Sequence, residues 1–261
     1  MIGLFLGDAD FSKNVLKKIK KLKKNYFIID LSKNNIFRKD KNSFRISIGK
    51  FGKIINLIHE KKAKKVLFAG KISKPNFSTL RLDFKGIYYM PSIIKAAKSG
   101  DAAIIKAIIK ILAREKIKVI SSIFYNPELS LKAGKYTKLK PTLKDMKSIK
   151  KGVIYFNQLN SLDHIQALVV NDEKVIATEG NQGTKKMLSK LKKRSDGILI
   201  KLPKKKQDLR MDLPTIGLNT LKDCKKYGLK GIVLKSKKNI FLDKDKCIKF
   251  ADKNKIFIKI I

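Results

Sequence analysis

Short apolar runs that stop at a glycine and are followed by a helical pattern constrain this chain more than any other feature. Ile2 to Leu6 is such a run and ends at Gly7. Beyond it Phe11, Val15, Leu16, Ile19 and Leu22 fall at the spacing of one helix face, and Tyr26 to Leu31 is the next apolar run. Strand, helix and strand in that order predict a right-handed βαβ crossover. The pattern recurs with a strand over Phe44 to Ile48, a helix burying Ile54, Ile55, Leu57 and Ile58, and a strand over Lys65 to Ala69 ending at Gly70. Ala102 to Ala113 reads as a helix with Asp101 as its cap, and Val119 to Ile123 as a closing strand. Strands alternating with helices predict an α/β fold with a parallel, doubly wound sheet, whose ligands bind beyond the carboxyl ends of the strands. Gly7 and Gly70 fall at two such ends.

The second half is patterned differently. Leu131 to Pro141 contains Gly134, Pro141 and several lysines without periodicity, so it is expected to be a linker between domains over 1–130 and 142–261. At 261 residues two modest cores suit the chain better than one. Ala167 to Val170 and Val175 to Thr178, joined by the polar Asn171 to Lys174, predict a β-hairpin. Glu179 to Thr184 then leads into a helix through Met187, Leu188 and Leu191, a junction expected to offer free backbone N–H groups to an anion. Runs over Gly197 to Leu202, Gly231 to Leu234 and Lys255 to Ile261 complete an expected α+β domain.

Charge bears on partners. Lys and Arg number 62 against 21 Asp and Glu, a formal net charge of +41, and such a field attracts polyanions. The lysines are spread through both halves rather than gathered on one arm, there is no Trp, and no basic helix is interleaved with stacking rings. A specific nucleic-acid partner is therefore not expected; weak, non-specific nucleic-acid binding is the reading that rests on charge alone. No run of about 18 apolar residues is present, and Met1 to Leu6 has no basic n-region, so neither a spanning helix nor secretion is expected. Cys224 and Cys247 are too few for a disulfide framework or a zinc site, which suits a reducing cytoplasm. His59 and His164 have no partner at ligand spacing. Gly7-Asp8-Ala9-Asp10 is not a dinucleotide fingerprint, and no Walker loop or nucleophile elbow occurs.

One loop concentrates chemistry. Between Lys201 and Gly217 the chain places Asp208, Arg210, Asp212 and Gln207 among prolines. Carboxylates can hold a hard divalent cation that bridges phosphate oxygens, and a guanidinium can offset developing negative charge. A solvated proline-rich loop would have the same composition.

Asp208-Leu209-Arg210-Met211-Asp212-Leu213-Pro214-Thr215-Ile216-Gly217, with Gly49-Lys50-Phe51-Gly52-Lys53-Ile54, Phe68-Ala69-Gly70 through Pro75, and Pro91-Ser92 leading to Gly100-Asp101, resembles the LpxI family of UDP-2,3-diacylglucosamine pyrophosphatases. The resemblance implies a Rossmann-like N-terminal domain, a C-terminal domain peculiar to the family, and metal-dependent cleavage of an acylated UDP-sugar to UMP and 2,3-diacylglucosamine 1-phosphate in lipid A synthesis. It places the catalytic aspartate at Asp212, with Mg²⁺ or Mn²⁺ as cofactor and Asp163, Glu179, Asp208 and Asp212 as candidate metal ligands. Gly7, Gly70, Lys71, Gln166, Gly183, Thr184 and Arg210 are the implied substrate-lining residues. A homodimer and peripheral contact with the inner membrane surface are further implications. Where the family pattern has two acids, this chain has Gln182 and Lys185, so the alternative is a non-catalytic member that binds a nucleotide-sugar or acylated sugar.

Overall fold

In the computed structural model the apolar runs of the first half become β1 (Ile2–Leu6), β2 (Tyr26–Asp30), β3 (Ser43–Phe44), β4 (Lys65–Ala69) and β5 (Lys118–Val119). They pair in parallel in the order β3-β2-β1-β4-β5, the doubly wound arrangement expected from the alternation. The helices between them are α1 (Asp10–Lys21), α2 (Phe51–Glu60), α3 (Phe84–Lys98) and α4 (Asp101–Arg114). The structure describes residues 1–72, 75–159, 165–180, 182–191, 195–204 and 207–261, and these form two units, Met1–Pro127 and Glu128–Ile261.

Every residue of β1 is buried, which is why it reads as one continuous apolar run and not as an alternation. The outer strands are shorter than the sequence suggests. The strand expected over residues 44–48 ends at Phe44, just before Arg45, whose guanidinium donates to the carbonyls of Asp30 and Ser32. The strand expected over 119–123 ends at Val119, where a turn closes with Phe124 N–H donating to the Ser121 carbonyl at 2.9 Å. Asp101 is the first residue of α4 and not its cap; Gly100 holds that position at φ +107. α3 was not anticipated, since Pro91 lies inside it and its outward side is apolar. It is capped by Asp83, whose carboxylate accepts from Gly86 N–H at 2.8 Å and also from Gly52 and Lys53 N–H at the start of α2.

The second unit contains β6 (Gly134–Lys135), β7 (Ala167–Asn171), β8 (Lys174–Thr178), β9 (Ile198–Lys201), β10 (Thr215–Ile216), β11 (Gly231–Leu234), β12 (Ile240–Phe241) and β13 (Phe257–Ile260). Its helices are α5 (Leu143–Gln158), α6 (Gly183–Ser189), α7 (Leu218–Lys226) and α8 (Lys244–Lys253). Six strands pair in the order β6-β13-β11-β9-β7-β8, with β9, β11 and β13 parallel and the others antiparallel to their neighbours. The segment expected to be a linker is the edge of this sheet. Gly134 and Lys135 pair with Ile260 and Lys259, Thr137 Oγ1 accepts from Ile258 N–H at 2.9 Å, and buried Leu131 donates its N–H to Asn239 Oδ1 at 3.1 Å. A two-residue strand is too short to leave a period in the sequence.

Alternate residues of the strands face two apolar layers. Leu168, Val170, Ile198, Ile200, Val233 and Phe257 pack with Ile149 and Phe156 of α5. Val169, Leu199, Ile232, Leu234 and Ile258 pack with Leu188, Leu221, Cys224, Cys247 and Ala251 of the other helices. Both cysteines are free thiols, and burial pushes both above the ordinary thiol range, Cys247 to about 11. The hairpin turn puts Asp172 and Glu173 both at positive φ, the twist that suits a two-residue connection. α5 begins with a capping box between Thr142 and Asp145, and Asp145 also meets Lys230 at 2.7 Å. Burial pulls the Asp145 carboxyl upward, but Lys230 and the Thr142 N–H and hydroxyl outweigh it and hold it below the ordinary carboxylate range.

Gly231 lets β11 pass under an aromatic ring: a Cβ there would lie 2.1 Å from the Phe257 ring on the paired strand. Gly231→Ala is therefore expected to destabilise the chain by about 1–3 kcal/mol, read as a lower urea midpoint with an unchanged slope.

Candidate active site

In the first unit, the sheet order reverses between β1 and β4, the place where doubly wound sheets open a ligand crevice. Gly7 and Gly70 sit at the carboxyl ends of these two strands, as expected, but their loops are stitched to each other. Asp8 N–H donates to the Lys71 carbonyl at 2.9 Å, and Lys71 N–H returns to the Asp8 carbonyl at 2.6 Å. Ser12 Oγ donates to the Gly7 carbonyl at 2.7 Å. A Cβ on Gly7 would lie 2.3 Å from the Lys71 carbonyl oxygen, and one on Gly70, which is at φ +88, would lie 2.0 Å from Ser12 Oγ. Close backbone approach of the two loops is thus enough to require glycine at both positions. The Lys71 residue is exposed beside them.

In the second unit, register fixes which residues gather. Lys201 at the end of β9 pairs with Leu234 at the end of β11 and with Ala167 at the start of antiparallel β7. Gln166, just before β7, and Glu179, just after β8, therefore share this end of the sheet with Lys201. Glu179 is buried; its Oε2 accepts from Gln166 N–H at 2.8 Å and its Oε1 from Thr184 Oγ1 at 2.6 Å. Lys201 Nζ donates in turn to Thr184 Oγ1 at 3.1 Å. Burial pulls the Lys201 ammonium below the ordinary lysine range, opposed by the negative charges of Glu179 and Asp212. Asp212 thus acts electrostatically on the same group.

The Asp212 loop is held at both ends. Asp212 N–H donates to the Asp208 carbonyl at 3.0 Å, closing a turn. Downstream, Leu213 is buried, the Pro214 carbonyl accepts from Ile240 N–H at 2.8 Å, and Thr215–Ile216 pair with Ile240–Phe241. The Leu-Pro-Thr-Ile-Gly run is therefore an anchor that fixes the position of the aspartate before it. Arg210 spends its fork on Asp208: Nε to Oδ1 at 2.9 Å and Nη2 to Oδ2 at 2.6 Å. Asp208 holds Arg210 above the ordinary guanidinium range. For Arg210 to meet a phosphate in bidentate fashion, it must exchange Asp208 for it.

Gly183, at φ +81, opens α6, and its N–H bonds to the Gly180 carbonyl at 3.0 Å. With that N–H committed and the Thr184 hydroxyl given to Glu179, less of the junction is open to an anion than its composition suggests. Gln182 and Lys185 are both exposed. Asp163 lies outside the described residues.

Among the described residues, no three acids, histidines or cysteines converge as a metal cage. Glu179 accepts hydrogen bonds on both oxygens, Asp208 is bound by the Arg210 fork, and the Asp212 charge bears on Lys201. Mg²⁺ is ordinarily held by one or two carboxylates together with phosphate oxygens, and this donor set fits a cation brought in or completed by a phosphorylated ligand.

The residue that sequence reasoning missed is Lys201. Its signal was present: a lysine closing Ile198-Leu199-Ile200 and followed by Leu202, a charge inside a run otherwise destined for the core. Thr184→Val, which removes the hydroxyl joining Glu179 to Lys201, is expected to cost about 1–2 kcal/mol in urea unfolding.

Comparison with known proteins matches residues 1–129 to the LpxI N-terminal domain and residues 132–259 to the LpxI C-terminal domain. The chain is also 32% identical over 223 residues to the UDP-2,3-diacylglucosamine pyrophosphatase LpxI of Caulobacter vibrioides, covering 82% of this chain and 80% of that one.

Proposed function

Because the chain belongs to the LpxI family, we propose that it hydrolyses the pyrophosphate of UDP-2,3-diacylglucosamine to UMP and 2,3-diacylglucosamine 1-phosphate, a cytoplasmic step of lipid A synthesis. The observation that carries this reading is the anchored Asp212 loop together with the Glu179, Thr184 and Lys201 network, on whose lysine the Asp212 charge acts. A water oxygen attacks the sugar-side phosphorus, the bridging P–O bond breaks, UMP leaves with the bridging oxygen, and the proton lost by the water passes to solvent. The Asp212 carboxylate orients that water or helps hold the cation. Mg²⁺ or Mn²⁺, held by Asp212 and the pyrophosphate oxygens, would supply charge neutralisation on the phosphates. Glu179 keeps Thr184 and the Gln166 backbone in place at the edge of the site.

The non-catalytic alternative draws on Gln182 and Lys185. Both are exposed and neither takes part in the Glu179, Thr184 and Lys201 hydrogen bonds, so the exchange of two acids leaves that network in place. Asp212→Asn keeps shape and removes charge. It is expected to cut UMP release at least 100-fold, about 2.7 kcal/mol, while the folded protein still binds the acylated UDP-sugar. Near-native, metal-dependent turnover by this variant would remove Asp212 from the chemistry, and a wild-type protein inert with every divalent metal would favour the non-catalytic alternative.

An acylated substrate resides in a membrane, and the first unit has a surface suited to reaching it. No described helix is long and apolar enough to cross a membrane. α3 instead turns one stripe outward: Phe84, 93% exposed, Ile87, Tyr88, 72% exposed, Pro91 and Ile94, ending in exposed Lys95 and Lys98. Aromatic and aliphatic residues beside lysines, on a chain of net charge +41, suit the headgroup layer of an anionic bilayer. Phe84→Ser with Tyr88→Ser is expected to weaken co-sedimentation with phosphatidylglycerol vesicles at high salt by about tenfold or more. Equal binding by the double variant would put membrane contact elsewhere, and binding lost wholly on adding salt would reduce it to charge alone.

A further inference from the structure

We infer that Lys201 is a catalytic residue whose ammonium contacts the phosphate oxygens of the substrate's pyrophosphate. The inference deepens the proposed function and rests on it for the identity of the substrate.

The hydrogen-bond directions around Lys201 leave little freedom. The Glu179 carboxylate only accepts, so at 2.6 Å the single Thr184 hydroxyl proton points to Glu179. A Thr184 lone pair then receives one N–H of Lys201 at 3.1 Å. An ammonium has three N–H groups. Among the described residues, Thr184 is the acceptor bonded to it, and Glu179 reaches it through that hydroxyl rather than by direct contact. Two strong donors are thus left over on a cation that is only partly exposed to water.

A lysine that served only as counterion to Glu179 would spend its protons on that carboxylate. Here Glu179 is satisfied by Gln166 N–H and Thr184, and the cation is held one hydroxyl further out, at the carboxyl ends of three parallel strands. Asp212 lies close enough for its charge to act on Lys201. A ligand that answers both leftover donors beside a carboxylate is one with several anionic oxygens, and pyrophosphate has them. As the bridging P–O bond breaks, its electron pair passes to the departing UMP oxygen. A fixed ammonium stabilises that charge without giving up its proton. The strand fixes the Lys201 backbone, and Thr184 fixes its ammonium.

Lys201→Met, nearly isosteric and apolar, separates this role from a structural one. At Lys201 the cost of desolvation outweighs the attraction of Glu179 and Asp212, and Glu179 keeps both of its own hydrogen-bond donors in the variant, so the melting temperature is expected to hold. With acylated UDP-sugar, kcat is expected to fall about 10²–10³-fold with a smaller change in KM. Inorganic pyrophosphate, titrated at fixed ionic strength, is expected to bind the variant about tenfold more weakly. Lys201→Arg keeps the cation but moves its donors and is expected to recover part of kcat. Wild-type kcat and unchanged pyrophosphate affinity in Lys201→Met overturn the inference. If that variant does not fold, Lys201→Arg decides: a native melting temperature with kcat at least tenfold down supports the contact, and wild-type kcat overturns it. A wild-type protein that binds pyrophosphate through Lys201 yet releases no UMP would sink the proposed reaction and leave the phosphate contact standing.

Discussion

Parallel strands must be covered on both faces, and each unit meets that requirement in its own way. A parallel ladder leaves no hairpin route between neighbours, so a crossover must return the chain, and apart from the irregular link from β2 to β3 those crossovers carry the helices that cover the sheets. In the second unit α5 covers one face, and α6, α7 and α8 the other. The consequence reaches beyond stability. Parallel register brings the carboxyl ends of β9, β11 and β13 to one edge, and antiparallel β7 and β8 begin and end there as well. Gln166 and Glu179 flank the β7–β8 hairpin and Lys201 closes β9, and they meet because the ladder register leaves them no other place.

Charge at that edge is organised by desolvation. A buried carboxylate or ammonium is costly unless hydrogen-bonded, and the chain from Gln166 N–H through Glu179 and Thr184 to Lys201 answers each oxygen of Glu179 with one donor. What stays unanswered is positive, which suits a phosphate ligand. The Asp212 loop adds negative charge from a different segment and is fixed by Leu213, Pro214 and the β10–β12 pair. In the first unit the corresponding edge is closed by backbone bonds between Asp8 and Lys71, so glycine there serves the packing of two loops.

Periodicity made much of the fold legible. The continuous apolar runs of β1, β2 and β4, the hairpin of β7 and β8, and the helix faces of α1 and α2 all follow from local pattern, because each buried face is wide enough to leave a period. α3 and β6 left none: one is apolar on its exposed side and interrupted by Pro91, and the other is two residues long. At the site, Asp212, Glu179 and Thr184 stood out by residue type and by resemblance, whereas Lys201 was one of very many lysines in a strongly basic chain.

By itself the sequence determined the two-part α/β architecture, the apolar strands and the loop that carries Asp212, since burial and turn chemistry act over a few residues at a time. Only the tertiary structure decided that Gly7 and Gly70 are held by each other's loops, and that Lys201 lies beside Thr184 within reach of the Asp212 charge. Those relations depend on strand register and on which charges lose water. Both are properties of segments distant in the chain, brought together only when the sheet closes.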